Sequence, residues 1–302
     1  MSVINSSSFA KALWPGVNAW YGKAYNEYST EYNKLFDTFK SSKAFEEDVG
    51  VSSFGLAVIK PEGSPIQMDS ERQAFITRYS HVVYALGFII TREIMEDDQY
   101  DVVGQRKAQG LAYSMRQTKE VVAANVYNRA FNSSYTGGDA KELLATDHPN
   151  FAGGTWANEL TTAADLSEAA LEQACIDIAG FTNDRGLLIA AKPKTLVIPR
   201  QLMFEAKRIL GSDGQVYSAD NTLNAIKTMG LIPEVVVNHY LTDTDAWFIK
   251  TDVPHGMKHF ERRADGFDMD NDFDTENAKF KATARYSFGW TDPRGLFGSP
   301  GA

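Results

Sequence analysis

Between Asp97 and Asn132, apolar residues recur at Tyr100, Val103, Ala108, Leu111, Met115, Val122, Val126 and Ala130. That is the spacing of one helix face, and Arg106, Lys107, Gln109, Arg116, Gln117, Lys119, Asn125 and Asn128 fall on the others. At ~1.5 Å per residue the pattern predicts a strut of roughly 50 Å, continuous despite Gly104 and Gly110. The stretch before it alternates like strand. Phe54–Ile59 and Gln73–Tyr79 flank Lys60-Pro61-Glu62-Gly63-Ser64-Pro65, a run with strong turn chemistry, so a long hairpin is expected there. A second apolar run, Val82–Ile90, then leads through the acidic Glu93, Glu96, Asp97 and Asp98 into the strut, where negative charge suits a helix N-terminus. An isolated hairpin is marginal in water, so something must cover it.

Residues 1–50 carry Tyr21, Tyr25, Tyr28 and Tyr32 at helical spacing, followed by Leu35, Phe36 and Phe39, with Pro15 and Gly16 interrupting early. Two readings stand: an arm that docks on a neighbouring subunit, or a peripheral helix on its own domain. After Phe131 the chain loosens through 132–138 and 147–158. A compact α/β pattern follows. Asp165 with Glu168 makes a capping-box-like start to a helix through Ala179. Next come a strand at Thr195–Ile198, a helix at Arg200–Leu210, a Gly/Asp loop, a short helix to Met229, and strands at Ile232–Asn238 and Ala246–Lys250. Two final strands, Met257–Arg263 and Lys279–Trp290, are expected on either side of an acidic turn.

With 302 residues, 43% of them hydrophobic and 12% aromatic, the chain can build a real core, which excludes wholesale disorder. A single cysteine, Cys175, excludes an intrachain disulfide and a cysteine zinc site. The first ten residues lack the pattern of an export signal, and no run approaches the ~20 apolar residues that span a bilayer. A soluble, unexported protein is expected. The net charge of -9, with no basic cluster, argues against a surface that grips phosphate; a wall of this charge contains nucleic acid without adhering to it.

Candidate chemistry is sparse. His255 and His259 have i, i+4 spacing, but Gly256 and the strand pattern defeat the helical geometry a metal pair needs. Asp268, Asp270, Asp272 and Asp274 resemble a calcium loop, yet Phe273 stands where Gly is required and Lys279 where the twelfth-position acid belongs, so a solvated acidic turn is expected. No nucleophile elbow, phosphate loop or dinucleotide fingerprint occurs, and Gly137-Gly138 and Gly153-Gly154 read as hinges. Cys175 has no basic neighbour to make it a thiolate. No catalytic, cofactor or metal residue is assigned.

The order of arm, hairpin, strut, α/β unit and returning strands resembles the major capsid proteins of tailed phages with the Hong Kong 97-type α+β fold. The likeness is carried by 89–98, where the extended loop feeds the spine helix; by Pro193–Pro199, where a strand delivers the chain to an axial helix; and by 245–252 with 257–263, the passage back to the peripheral domain. Within that class it is most similar to the Mu-like head subunits. The resemblance implies an N-terminal arm (1–50), an extended loop (51–92), a peripheral domain with the spine helix (93–159), an axial domain (160–251), and peripheral return strands with a tail (252–302).

It also implies a homo-oligomer of pentamers and hexamers, an icosahedral virion shell that encloses double-stranded DNA without tight binding, and assembly in the host cytoplasm. The implied partners are a portal protein, decoration proteins and a scaffolding protein, the last a separate polypeptide because Met1 lies close to the arm. The expected inter-subunit contacts are Trp20, Tyr21, Tyr25, Tyr28 and Phe36 on the arm and Lys60, Glu62, Arg72 and Arg78 on the hairpin. Lys60 sits where a crosslinking lysine could lie, though with no acceptor or acid identified a solvated turn lysine is the better reading. Two alternatives stay open: an encapsulin-like cargo shell, and an acidic α/β hydrolase with a dispersed site.

Overall fold

The computed structural model describes residues 18–27, 29–96, 100–150, 153–215, 222–272 and 277–302. A helix over residues 18–27, α1, and the short α2 (Tyr32–Leu35) lead into β1 (Asp37–Lys40), β2 (Phe45–Val51), β3 (Gln73–Ser80) and β4 (Val82–Ile90). Helices α3 (Arg92–Glu96) and α4 (Tyr100–Asn128) follow, then the two-residue strands β5 (His148–Pro149) and β6 (Thr155–Trp156). The α/β unit holds α5 (Glu168–Ala179), β7 (Pro193–Pro199), α6 (Met203–Gly211), α7 (Ala225–Met229), β8 (Glu234–Asn238) and β9 (Trp247–Thr251). The chain closes with β10 (Met257–Asn271), β11 (Ala278–Trp290) and β12 (Leu296–Ser299).

The strut is α4, a continuous helix of 29 residues, or ~44 Å at ~1.5 Å per residue. Its apolar stripe lies on a four-stranded peripheral sheet ordered β1-β10-β11-β4. Ala108 and Ala112 are small enough for the helix to approach Phe280, Ala282, Ala284 and Tyr286 closely, and Leu111 and Met115 fill the flanks. Cross-strand rings stiffen this sheet: Phe88 stacks on its register partner Phe280 at 4.9 Å. Lys119, expected on a polar face, is instead buried and paired with Glu261 at 3.0 Å. A buried cation needs such a partner.

The axial sheet runs β12-β9-β7-β8. Alternation in β7 explains why Leu196, Val197 and Ile198 are all buried. Leu196 and Ile198 face a core built with α5, α6 and α7, while Val197 faces a second core with α2, the end of α4, Val236 and Phe248. Peripheral and axial units thus meet through α2, whose Leu35, with the adjacent Phe36, is inserted between the spine and the axial sheet.

Several expectations are corrected. The hairpin exists, but its outgoing strand is β2, not Phe54–Ile59. The α5 N-cap is Ser167, whose side chain accepts from the Ala170 N–H at 3.2 Å; Asp165 instead accepts from Ala302. Of the expected acidic turn, Asp268 and Asp270 lie within β10, exposed and opposite Lys281 and Lys279 in the ladder, Asp272 pairs with Lys279, and Asp274 lies outside the described residues. The tail does not stay with the peripheral return strands: β12 pairs with β9 and completes the axial sheet. Gly137 and Gly138 are close approaches and not hinges, since a Cβ at either would fall 2.7 Å from Trp290 or from the Ile76 carbonyl.

Candidate assembly surface

The hairpin rises where the peripheral sheet ends. β2 and β3 pair antiparallel from Phe45 opposite Ser80 to Val51 opposite Gln73. Their base is fixed by Asp48, whose carboxylate accepts from the Lys258 ammonium of β10 and from the Thr291 hydroxyl at 2.7 Å. Tyr79 reaches the same Thr291 at 2.7 Å, and its ring sets edge-on to Phe260. Burial alone would raise the Asp48 carboxyl, but hydrogen bonds from Lys258 and Thr291, with the Lys258 charge, outweigh it and hold the group below its usual range. Gly138 brings the 137–141 turn against the backbone of Ile76, a third anchor. Beside this base a cleft of about 630 Å³ separates the hairpin, at Val49, Val51 and Phe75, from the axial domain at Ile189 and Val253.

Beyond β2 and β3 the chain is extended without a ladder. The Ser52 N–H donates to the Arg72 carbonyl and the Arg72 N–H to the Ser52 hydroxyl, both at 2.9 Å, closing the neck. The turn read at Lys60–Pro65 is present: Ser64 N–H bonds the Pro61 carbonyl at 3.2 Å and Gly63 takes a positive φ of 75°. Between neck and turn, Phe54, Leu56, Val58, Ile59, Ile66 and Met68 are all exposed, Ile59 at 94% and Met68 at 85%. Scattered apolar side chains need no explanation, but six on one projecting loop form a surface that association would cover.

Of the expected contact residues, Lys60 and Glu62 are exposed on this tip and Arg72 on its neck. Arg78 lies over the Phe45 ring at 3.7 Å and is engaged within its own hairpin. The arm divides. Tyr21 is buried, stacked on Phe267 at 4.6 Å and hydrogen-bonded to Asp265, and Phe36 is buried beside Tyr127 and Phe288. Both therefore serve their own subunit's cores and not a neighbour, because a fully covered ring has no surface left to offer. Trp20 and Tyr25 pack half-buried against the same core, and Tyr28 lies outside the described residues. On the axial domain, Phe204, Leu223 and Met229 are exposed, which the sequence reading did not single out.

Among the described residues no group of three or more His, Cys, Asp or Glu side chains is placed to hold a metal ion. His259 stacks on Phe288 at 4.3 Å inside the core, where burial and the nearby Lys119 push its imidazole down to about 3; it is a neutral packing residue, not half of a metal pair. Burial pushes the Cys175 thiol up to about 11. No helix among the described residues is long and apolar enough to cross a membrane.

No curated protein matches in sequence. Solved structures do match in fold. The virus-like particle from Pyrococcus furiosus is 11% identical, with 94% of this chain and 97% of that chain covered and a TM-score of 0.55. The procapsid of bacteriophage JBD30 is 12% identical, with 97% and 75% covered and a TM-score of 0.53. The capsid of a native GTA particle is 10% identical, with 89% and 88% covered and a TM-score of 0.54. The sequence model described as phage capsid protein matches residues 75–298, from β3 through the axial domain to β12. Spine helix, axial and peripheral sheets and projecting hairpin are the Hong Kong 97-type α+β arrangement, and the chain belongs to the phage capsid protein family.

Proposed function

We propose that this chain is the major head subunit of a tailed phage, associating as pentamers and hexamers into an icosahedral shell around double-stranded DNA. The observation that carries the reading is the hairpin tip. On a chain of the phage capsid family, residues 54–68 stand clear of their own cores with their largest apolar side chains exposed, so a neighbouring subunit is the natural cover. The portal, a scaffolding protein and decoration proteins are the further partners of this role. The net charge of -9 suits containment, because repulsion keeps a dense polyanion from adhering to the wall.

Electron microscopy and sedimentation of the purified protein, alone and with its scaffold, test this: closed shells or capsomer-sized rings are expected, and a compact monomer under every condition would refute it. The unassembled protein should bind duplex DNA negligibly at physiological salt; micromolar binding with a steep salt slope would mean direct phosphate contacts. A second reading, a shell for other cargo, is consistent with the fold shared with the Pyrococcus furiosus virus-like particle. Nuclease-protected DNA inside purified particles separates the two.

A further inference from the structure

One carboxylate ties the hairpin tip to the axial domain of its own subunit. Asp69 Oδ2 accepts from the Gly55 N–H at 2.8 Å and from Arg185 Nη1 at 2.7 Å, while Oδ1 accepts from the Ser70 N–H at 2.9 Å and from Arg185 Nη2 at 3.2 Å. Arg185 Nη2 also donates to the Ser70 carbonyl at 2.8 Å. The outgoing limb of the tip at Gly55, its returning limb at Ser70 and the axial domain therefore meet at a single residue. Gly55 keeps the knot open: a Cβ there would lie 3.2 Å from Arg185 Nη1.

The arginine is itself held in place. It sits in a tight turn in which the Asn183 side chain accepts from the N–H groups of Arg185 and Leu187, at 2.9 and 3.0 Å. Thr182 bridges Leu188 across that turn, and Gly186 takes the positive φ of 78° that it requires. The turn is fastened to the body by the buried Arg294, which donates to the Thr182 carbonyl at 2.7 Å and pairs with Asp184 at 3.1 Å. A lone surface ion pair contributes little to stability. A planar fork on a carboxylate that also takes two backbone N–H groups is a stronger and more directional arrangement.

We propose that Asp69 and Arg185 form a clasp that sets the direction of the hairpin tip in the free subunit, so that its apolar residues meet a neighbour already ordered. Arg185 is then a positioning residue for assembly, acting through Asp69 and not through contact with the neighbour. The physical gain is pre-organisation: a tip ordered beforehand does not lose its freedom at the moment of association. This inference rests on the reading that the tip joins subunits in a shell.

The test has two arms. In the unassembled protein, Arg185→Ala and Asp69→Asn should raise amide hydrogen exchange across residues 53–72 roughly tenfold, leaving α4 and the axial strands unchanged, with Arg185→Lys intermediate because an ammonium cannot fork. In light-scattering assembly assays, Arg185→Ala should assemble several-fold more slowly and need a higher protein concentration, with an unchanged melting temperature for the body. Unaltered exchange in Arg185→Ala would show that the clasp does not form in solution. A broken clasp with equal or faster assembly would show that it does not position the tip, and the proposal would fall. A wild-type protein that never assembles would count against the shell reading instead, because the exchange arm needs no particle.

Discussion

Glu120 offers the sharpest test of how the arm is joined to the spine. Helix α2 has only four residues and its N-cap, Glu31, makes no side-chain cap. Its leading N–H groups are satisfied from another element: Glu120 of α4 accepts from the Glu31 and Tyr32 N–H groups, each at 3.0 Å. Glu120 is 2% exposed. Replacing it with Ala leaves a buried and a partly buried donor without an acceptor, at about 1–3 kcal/mol for the first and less for the second. Against this, burial raises the Glu120 carboxyl more strongly than the two donors lower it, so removing the carboxylate recovers part of its desolvation cost. The expected net loss for Glu120→Ala is about 2 kcal/mol, or roughly 3 °C in melting temperature for a chain of this size. Glu120→Gln keeps one acceptor and no charge, and should lose less than half as much. The sign of the pH dependence follows: a carboxyl raised on folding contributes stability at low pH that is lost as pH rises through its folded pKa, so wild type should gain on Glu120→Gln as pH falls through that raised value towards the ordinary carboxylate range. Thermal unfolding of the unassembled protein reads all three. A loss below about 0.5 kcal/mol for Glu120→Ala, or a Gln variant no better than Ala, would refute the reasoning.

Three further outcomes are expected. Met115→Pro removes the N–H bonded one turn back on α4 and clashes with the Leu111 carbonyl, at about 3 kcal/mol or more, and should abolish particles in a sedimentation assay; normal yield would mean that the strut is not structural there. Tyr127→Phe keeps a ring packed edge-on between Phe36 and Phe248 but deletes a buried hydroxyl with no partner among the described residues, so its melting temperature should be unchanged or higher, by up to about 1 kcal/mol in stability; a clear drop would reveal a partner for the hydroxyl. The depressed Asp48 carboxyl gives the hairpin base stability that is present above the usual carboxylate range and lost as pH falls through its folded value. Proteolysis within 52–72 should therefore quicken on acidification in wild type, and Asp48→Asn should remove most of that dependence; a wild-type profile flat to acid would sink this account of the anchor.

Local pattern alone determined the elements whose burial is periodic along the chain. The stripe through Ala108, Leu111 and Met115 repeats with the helical period and marks one helix face, and the apolar run within Thr195–Ile198 was legible as a strand, though that both its faces are covered came only from the fold. With the family resemblance these elements also pointed to the fold and to a projecting hairpin. Pairing and docking were decided by residues far apart. Phe45–Val51 carries three acidic residues and looks less like a strand than Phe54–Ile59, yet it pairs because Asp48 finds Lys258 and Thr291 more than two hundred residues away. The more apolar segment is left unpaired. Whether Tyr21 and Phe36 served a neighbour or their own core was equally non-local, set by Phe267, Asp265 and Phe288 on the returning strands. The four residues of β12 are too few to show a period and became a strand only because β9 offered an edge. Asp69 and Arg185, 116 residues apart, lie in two polar loops with no motif between them. Periodicity reports which face of an element is covered, but only the folded chain decides what covers it, because that depends on shape and charge brought together from distant positions.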